Sequence, residues 1–477
     1  MKKGRIVTVL TTFLCLCCFT LSACSESDAR GILSIEKTAT NGLVDTYTVY
    51  YTDGTSTTFE IKNGMDGQNG IDGEDGANGE NITVEDLYEQ YKKGYGEISY
   101  ADFLSLYMTF ENNDYTVIGN CLRSSAKVYT QFTEVSYVYR PMGGVSTTTS
   151  TAIYTGSSVI YRIDDDYTYF LTNYHVIYDG NSTTKTPEQI YVYLYGSEGE
   201  PTQLSNTEYD YGEYAIACEF IGGSVNYDVA VLKAETADVF AINDKVQAVE
   251  FAEDYYVGQT AIAIGNPDDA GISVTKGIVS VDNDYITLNI DGTTREYRSI
   301  RMDTALYSGN SGGGLFNEKG QLIGLNNAGN GTEQNINYAI PLSIVKGVAD
   351  NATYYYKDGN DETNGVYKAT VGVSVSTEKS RYVYDEIKGY GEIMEDIIVA
   401  TVESGSIAES IGLQVGDRLV SIQIGDTMYA LNRSFDIADG LLLLTVGESV
   451  SFVYERLGEE YTTENYTVKS SDIKSIA

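Results

Sequence analysis

Ser311 lies in the run Tyr307-Ser308-Gly309-Asn310-Ser311-Gly312-Gly313-Gly314-Leu315. A serine hydroxyl is a weak nucleophile until a nearby base takes its proton. Glycines on both sides open backbone conformations that side chains forbid. In such a loop the amides of Gly309 and Ser311 can point into one space and bind an oxyanion growing on an attacked carbonyl. A plain glycine-rich turn would look the same locally. Two further stretches favour chemistry. The chain has a single histidine, His175, in Phe170-Leu171-Thr172-Asn173-Tyr174-His175-Val176. Asp228 opens the apolar run Val229-Ala230-Val231-Leu232. A hydroxyl, an imidazole base and a carboxylate that fixes the base's tautomer form a set for acyl transfer.

The order His, Asp, Ser is that of chymotrypsin-like double barrels. Further segments carry a wider resemblance. They are Gly156-Ser157-Ser158-Val159-Ile160, Val257-Gly258 through Ala263-Ile264-Gly265-Asn266-Pro267, Val274 to Ser280, and Asn337-Tyr338-Ala339-Ile340-Pro341. The stretch Ser404-Gly405-Ser406-Ile407-Ala408-Glu409-Ser410-Ile411-Gly412-Leu413 adds a second module. Over roughly residues 116–470 the chain resembles the HtrA (Deg) family of trypsin-like serine proteases with a C-terminal PDZ domain. One departure stands out: the family usually has proline where Gly314 stands, which would loosen the loop after the nucleophile.

The resemblance implies a mainly β fold, a double β-barrel followed by a PDZ domain. It implies a serine endopeptidase acting on unfolded or peptide protein substrates, with His175, Asp228 and Ser311 as the triad and Gly309 and Ser311 as oxyanion donors. The specificity pocket would lie under Thr304, Ala305 and Leu306, beside Asn326, Asn327 and Ala328. With no acid at its base, cleavage after small or medium apolar residues follows, and Asp303 would be structural. The loop Val371-Gly372-Val373 would hold the carboxylate of C-terminal peptides, with helix Ser434 to Leu444 as the other wall of the groove. The family also implies a homotrimer. The rival reading is a catalytically inactive, surface-anchored peptide-binding or chaperone protein.

The elements around these residues follow in order. Residues 1–23 read as a signal peptide: Lys2, Lys3 and Arg5, then an apolar run from Ile6 to Leu21. It ends in Leu21-Ser22-Ala23-Cys24, which resembles a bacterial lipobox, so Cys24 would be lipidated and anchor an extracytoplasmic protein to the cell membrane. Residues 24–63 form a β-hairpin spacer, with Asp53-Gly54 as the turn. Residues 64–81 place glycine at every third position from Gly64 to Gly79. With no proline there, an acidic flexible linker fits better than a triple helix. Residues 82–115 read as helical. The protease domain spans 116–350 and closes with a helix from Leu342 to Ala349. Residues 351–368 read as a linker, and 369–477 as the PDZ domain.

Composition narrows the partners. At 477 residues and 42% hydrophobic, the chain holds two or three domains with a sizeable core. A net charge of −37 argues against nucleic acid, whose phosphates it would repel. The sequence has no metal-ligand spacing and no phosphate loop, so no metal and no cofactor is expected. Beyond Cys24, the only cysteines are Cys121 and Cys218. They read either as one disulfide or as two buried thiols.

Overall fold

The structure is a computed structural model. It describes residues 32–41, 44–51, 54–62, 88–89, 92–93, 114–139, 144–197, 199–329, 335–357, 364–385 and 389–476. The leader, Cys24 and the glycine-repeat stretch lie outside these residues.

The N-terminal unit, residues 1–111, contains a three-stranded antiparallel meander. Its strands are β1 (Ile32–Asn41), β2 (Val44–Tyr51) and β3 (Ser56–Lys62). Gly54 takes φ 78° in the turn where Asp53-Gly54 was expected, a left-handed value that glycine reaches at no steric cost.

The second unit, residues 112–477, begins with helix α1 (Asp114–Leu122) and continues into two closed six-stranded barrels. The first comprises β4 (Ser125–Tyr139), β5 (Val145–Ile163), β6 (Tyr167–Thr172), β7 (Gln189–Leu194), β8 (Ile216–Ser224) and β9 (Val229–Glu235), closed in the order β8-β9-β6-β5-β4-β7. The second comprises β10 (Thr260–Gly265), β11 (Ser273–Asn289), β12 (Thr294–Met302), β13 (Gly314–Phe316), β14 (Leu322–Gly329) and β15 (Asn337–Pro341), in the order β10-β11-β12-β15-β14-β13. The chain is mainly β, with the expected chymotrypsin-like double barrel.

Alternation along two short strands shows why the barrels pack as they do. Successive side chains of a strand point to opposite faces. In β9, Ala230 and Leu232 fill the first barrel's core, while Val229 and Val231 face outward. In β10, Ala261 and Ala263 fill the second barrel's core, while Ile262 and Ile264 face outward. The outward residues meet in one apolar cluster with Val159, Leu171, Phe316 and Leu325. Strands that are apolar on both faces therefore join the barrels, and the cleft at their junction is held from below.

Helix α2 (Leu342–Tyr355) packs on this junction through Val345, Val348, Ala349 and Ala352. It runs past the expected end at Ala349, because Ala352 is still apolar and buried. Next comes a strand-rich C-terminal unit, whose make-up is consistent with a PDZ domain. Its seven-stranded sheet follows the path β16 (Val373–Asp385), β17 (Tyr390–Val402), β18 (Arg418–Ile424), β19 (Ser449–Arg456) and β20 (Glu459–Thr462), with two short strands added off it. Two short helices, α3 (Ile407–Ser410) and α4 (Ser434–Gly440), lie beside the sheet. Cys121 and Cys218 are both free, so of the two readings the structure has thiols. Burial pushes the Cys121 thiol up to about 12 and raises the Cys218 thiol too. No helix among the described residues is long and apolar enough to cross a membrane.

Candidate active site

Asp228 sits one residue before β9, fully buried, with φ 55°. Aspartate is among the side chains that tolerate this left-handed region. The kink turns its carboxylate away from the strand and toward His175. Both oxygens are engaged. Oδ1 accepts the His175 main-chain N–H at 2.9 Å, and Oδ2 accepts the His175 Nδ1–H at 2.8 Å. A carboxylate has no proton to donate here, so Nδ1 carries the hydrogen and Nε2 is left as the basic nitrogen. Asn173, two residues before His175, donates its side-chain amide to the Asp228 main-chain carbonyl at 2.9 Å. His175 itself stands in a single 3-10 turn, Tyr174–Ile177, directly after β6.

Two opposed effects set the imidazole's charge. Burial disfavours protonation, but the adjacent Asp228 charge and the hydrogen bond to it outweigh burial, so the His175 pKa is raised above 6.5.

The second barrel supplies Ser311. Its hydroxyl donates to the Asn327 carbonyl at 2.8 Å, and no hydrogen bond joins it to His175 among the described residues. Both residues nevertheless line one cleft, with Ser308 and Gly309. The loop is held from the first barrel by Ser157. Its N–H donates to the Ser311 carbonyl at 2.8 Å and its hydroxyl donates to the Gly309 carbonyl at 2.7 Å. The N–H groups of Gly309 and Ser311 donate no hydrogen bond among the described residues, while the carbonyls of the same two peptide units, those of Ser308 and Asn310, accept the Asp268 and Gly313 N–H groups at 2.6 and 3.0 Å. Gly309 has φ 93°, and a Cβ there would lie 2.2 Å from the Asn266 carbonyl oxygen. A Cβ on Gly312 would meet the Ser157 carbonyl at 2.3 Å, and one on Gly313 the Ile264 carbonyl at 2.1 Å. The glycines are there because other backbone passes close by.

Gly314 is the first residue of β13, and the Phe316 ring and Val159 fill the space around it. A Cβ there would come within 2.4 Å of that ring. The absence of proline is thus matched by an aromatic filling the gap, and the residue belongs to a buried strand.

Two residues act in the site in ways the sequence did not show. Asn327 was expected beside the specificity pocket, but its side-chain amide donates to Asp228 Oδ2 at 3.0 Å, making it a third donor to the acid. Its signal in the sequence was faint: two asparagines inside an otherwise apolar strand. Ser157 was visible only as part of a glycine-serine segment. Asn326, next to Asn327 in the chain, is also buried and donates to the carbonyls of Ile264 and Gly314.

Thr304 is fully buried, with its hydroxyl donating to the Ala261 carbonyl at 3.2 Å. The Ala305 carbonyl accepts from Thr275 Oγ1 at 2.8 Å, and Leu306 packs, partly exposed, against the second barrel's core. Asp303 Oδ1 accepts the Ile278 N–H at 2.7 Å, a structural contact. In the C-terminal unit, Val371 is buried and its carbonyl accepts the Ala408 N–H at 3.0 Å. Gly372 has φ 78°, and its carbonyl accepts the Glu403 N–H at 2.9 Å. Val373 begins β16, an edge strand bonded on one side to β17 and flanked by α4.

Comparison with known proteins agrees with this geometry. The trypsin-like peptidase domain family matches residues 156–325, a span holding His175, Asp228 and Ser311. The chain is 30% identical over 332 residues to the serine protease Do-like HtrA of Lactococcus lactis, covering 67% of this chain and 72% of that protein. It is 28% identical over 326 residues to the serine protease Do-like HtrB of Bacillus subtilis, covering 67% of this chain and 63% of that protein. Among solved structures, the HtrA-type protease AlgW with a decapeptide is 23% identical, covering 74% of this chain and 98% of that one, with a TM-score of 0.43. With its ordered barrels and this degree of identity, the chain belongs to the HtrA family of trypsin-like serine proteases and is a serine endopeptidase.

Proposed function

We propose that Ser311 attacks the peptide carbonyl, His175 takes its proton and returns it to the leaving amine, and Asp228 holds the imidazole. The observation that carries this is the fully buried Asp228 bonded twice to His175, in the cleft that also holds Ser311. For attack, the Ser311 hydroxyl turns from the Asn327 carbonyl to His175 Nε2. The carbonyl oxygen becomes an oxyanion between the N–H groups of Gly309 and Ser311. Leu306, with Ala305 and the buried Thr304 beneath, shapes a pocket for a small or medium apolar residue before the cut. A strong preference for lysine or arginine before the cut would sink that pocket reading.

The substrates are unfolded or misfolded envelope proteins. Residues 369–477 act as a PDZ domain: Val371, Gly372 and Val373 take a C-terminal carboxylate, and the peptide adds a strand to the open edge of β16 beside α4. Cys24 carries lipid and tethers an extracytoplasmic enzyme that works as a homotrimer. Intact mass of the membrane-extracted protein tests the lipid, and sedimentation tests the trimer. Binding of a peptide with a free, but not an amidated, C-terminus tests the PDZ loop.

A fluorophosphonate probe tests the nucleophile, because it labels an activated serine. We expect labelling at Ser311 and none in Ser311→Ala. The inactive-binder reading draws on the resting contact of Ser311 with Asn327. It predicts no labelling of the wild type.

Two further results are expected. Activity requires a neutral His175, and its raised pKa keeps the ring protonated to higher pH than an ordinary imidazole. Turnover of an uncharged peptide should therefore fall as the pH drops, with a midpoint above 6.5. No second histidine complicates the profile. A profile flat down to pH 5 would contradict the assignment. Gly309→Ala forces a Cβ against the Asn266 carbonyl and displaces one oxyanion donor, so kcat should fall roughly 10²- to 10³-fold. A KM change with kcat intact would place Gly309 outside the oxyanion site.

A further inference from the structure

The side of the cleft built by the first barrel carries a carboxylate with no cation paired to it among the described residues. The cleft is about 230 Å³. Tyr154 and Thr155 of β5 wall it there, together with Tyr178 and Asp179, which follow His175 closely in the chain. Asp179 is only 7% exposed. Its Oδ1 accepts the Asn181 N–H at 2.9 Å, whereas Oδ2 is buried and has no hydrogen-bond partner among the described residues. No cation pairs with it among those residues. The Tyr154 phenol at this wall is pushed up to about 12 by burial and by the charges of Asp179 and Glu134. The Asp179 backbone is also pinned. Its N–H donates to the Lys185 carbonyl at 2.9 Å, and its carbonyl accepts from the Ser182 N–H and hydroxyl at 3.2 and 2.9 Å. A buried, unpaired carboxylate oxygen is unfavourable on its own, and a cationic donor relieves it.

The direction of the substrate follows from the nucleophile reading, on which this inference rests. The acyl half is held by the second barrel, at the Gly309 and Ser311 amides and at Leu306. The leaving half takes its proton from His175 and departs over the first barrel, where Asp179 lies. We infer that Asp179 forms a subsite for the leaving half and selects lysine or arginine in the first two positions after the scissile bond. The chain's net charge of −37 draws such substrates in from solution as well.

The test uses the purified full chain and peptides that differ only at those two positions, carrying lysine, norleucine or glutamate. The expected order of kcat/KM is lysine, norleucine, glutamate, with lysine about tenfold above norleucine. Norleucine keeps lysine's four-carbon stem and lacks only the ammonium, so the ratio reports the charged head. Asp179→Asn keeps the acceptor for the Asn181 N–H and removes the charge, and it should bring the lysine-to-norleucine ratio to about one. Equal wild-type rates for lysine and norleucine at both positions overturn the inference, whether or not the variant folds. A ratio that survives in Asp179→Asn also overturns it. Failure to cut any peptide, with no probe labelling of Ser311, overturns the nucleophile reading and this inference with it.

Discussion

Ser311→Ala is expected to lower kcat on a denatured protein substrate about a million-fold, while the chain stays folded. The separation of effects comes from the contacts. The Ser311 hydroxyl makes one hydrogen bond, to the Asn327 carbonyl, and Ser311 lines the cleft. Removing it leaves the Ser157-to-Ser311 main-chain bond in place, so the loop keeps its shape. Stability should move by about 1 kcal/mol or less. Steady-state kinetics and thermal unfolding on the same preparation check both halves. Residual activity within a hundredfold of wild type would assign the nucleophile elsewhere.

Asp228→Asn should cost about 10⁴-fold in kcat, the next largest effect. The buried carboxylate accepts from three N–H groups: two of His175 and one of Asn327. An amide in its place has one acceptor atom and one donor atom. Whichever way it turns, a donor faces a donor, unless His175 changes tautomer and places its hydrogen on the nitrogen needed as base. The substitution also removes the charge that raises the His175 pKa and leaves only burial, which lowers it. The residual activity should therefore have a pH midpoint below that of the wild type. A merely structural aspartate would leave the midpoint where it was. A loss smaller than tenfold in kcat would remove Asp228 from the triad.

The parts of the site that depend on residue type were legible in the sequence, and those that depend on approach between the barrels were not. A lone histidine, an acid opening an apolar strand and a serine among glycines name their own chemistry. The apolar runs of β9 and β10 likewise announce strands buried on both faces. Ser157 acts across the junction, 152 positions from the Gly309 carbonyl it holds, and nothing local marks it. Asn327 shows the same gap: its strand was visible, but which face met Asp228 depended on register, since a one-residue slip exchanges the faces. The left-handed kink at Asp228 is likewise set by surroundings. Lengths were less legible than identities. The loop Val371-Gly372-Val373 was read from the sequence, but not the length of the strand that follows: β16 runs to Asp385 as half of a long hairpin with β17, with an irregular register between Glu378 and Arg381. Lys379 takes φ 49° there, which a propensity reading does not foresee.

The helix that closes the second barrel has a further consequence for protein engineering. Asn351 in α2 donates to the carbonyls of Tyr367 and Leu442, and its own carbonyl oxygen Oδ1 accepts the Tyr367 N–H. Leu442 sits in the notch left by Gly347, where a Cβ would come within 2.9 Å. A chimera that exchanged only the C-terminal module would leave this amide facing foreign backbone and the notch unfilled. Because the same helix also packs on the barrels through Val345, Val348, Ala349 and Ala352, it cannot be assigned to either module alone, and a graft has to keep positions 347, 351, 367 and 442 matched to one another.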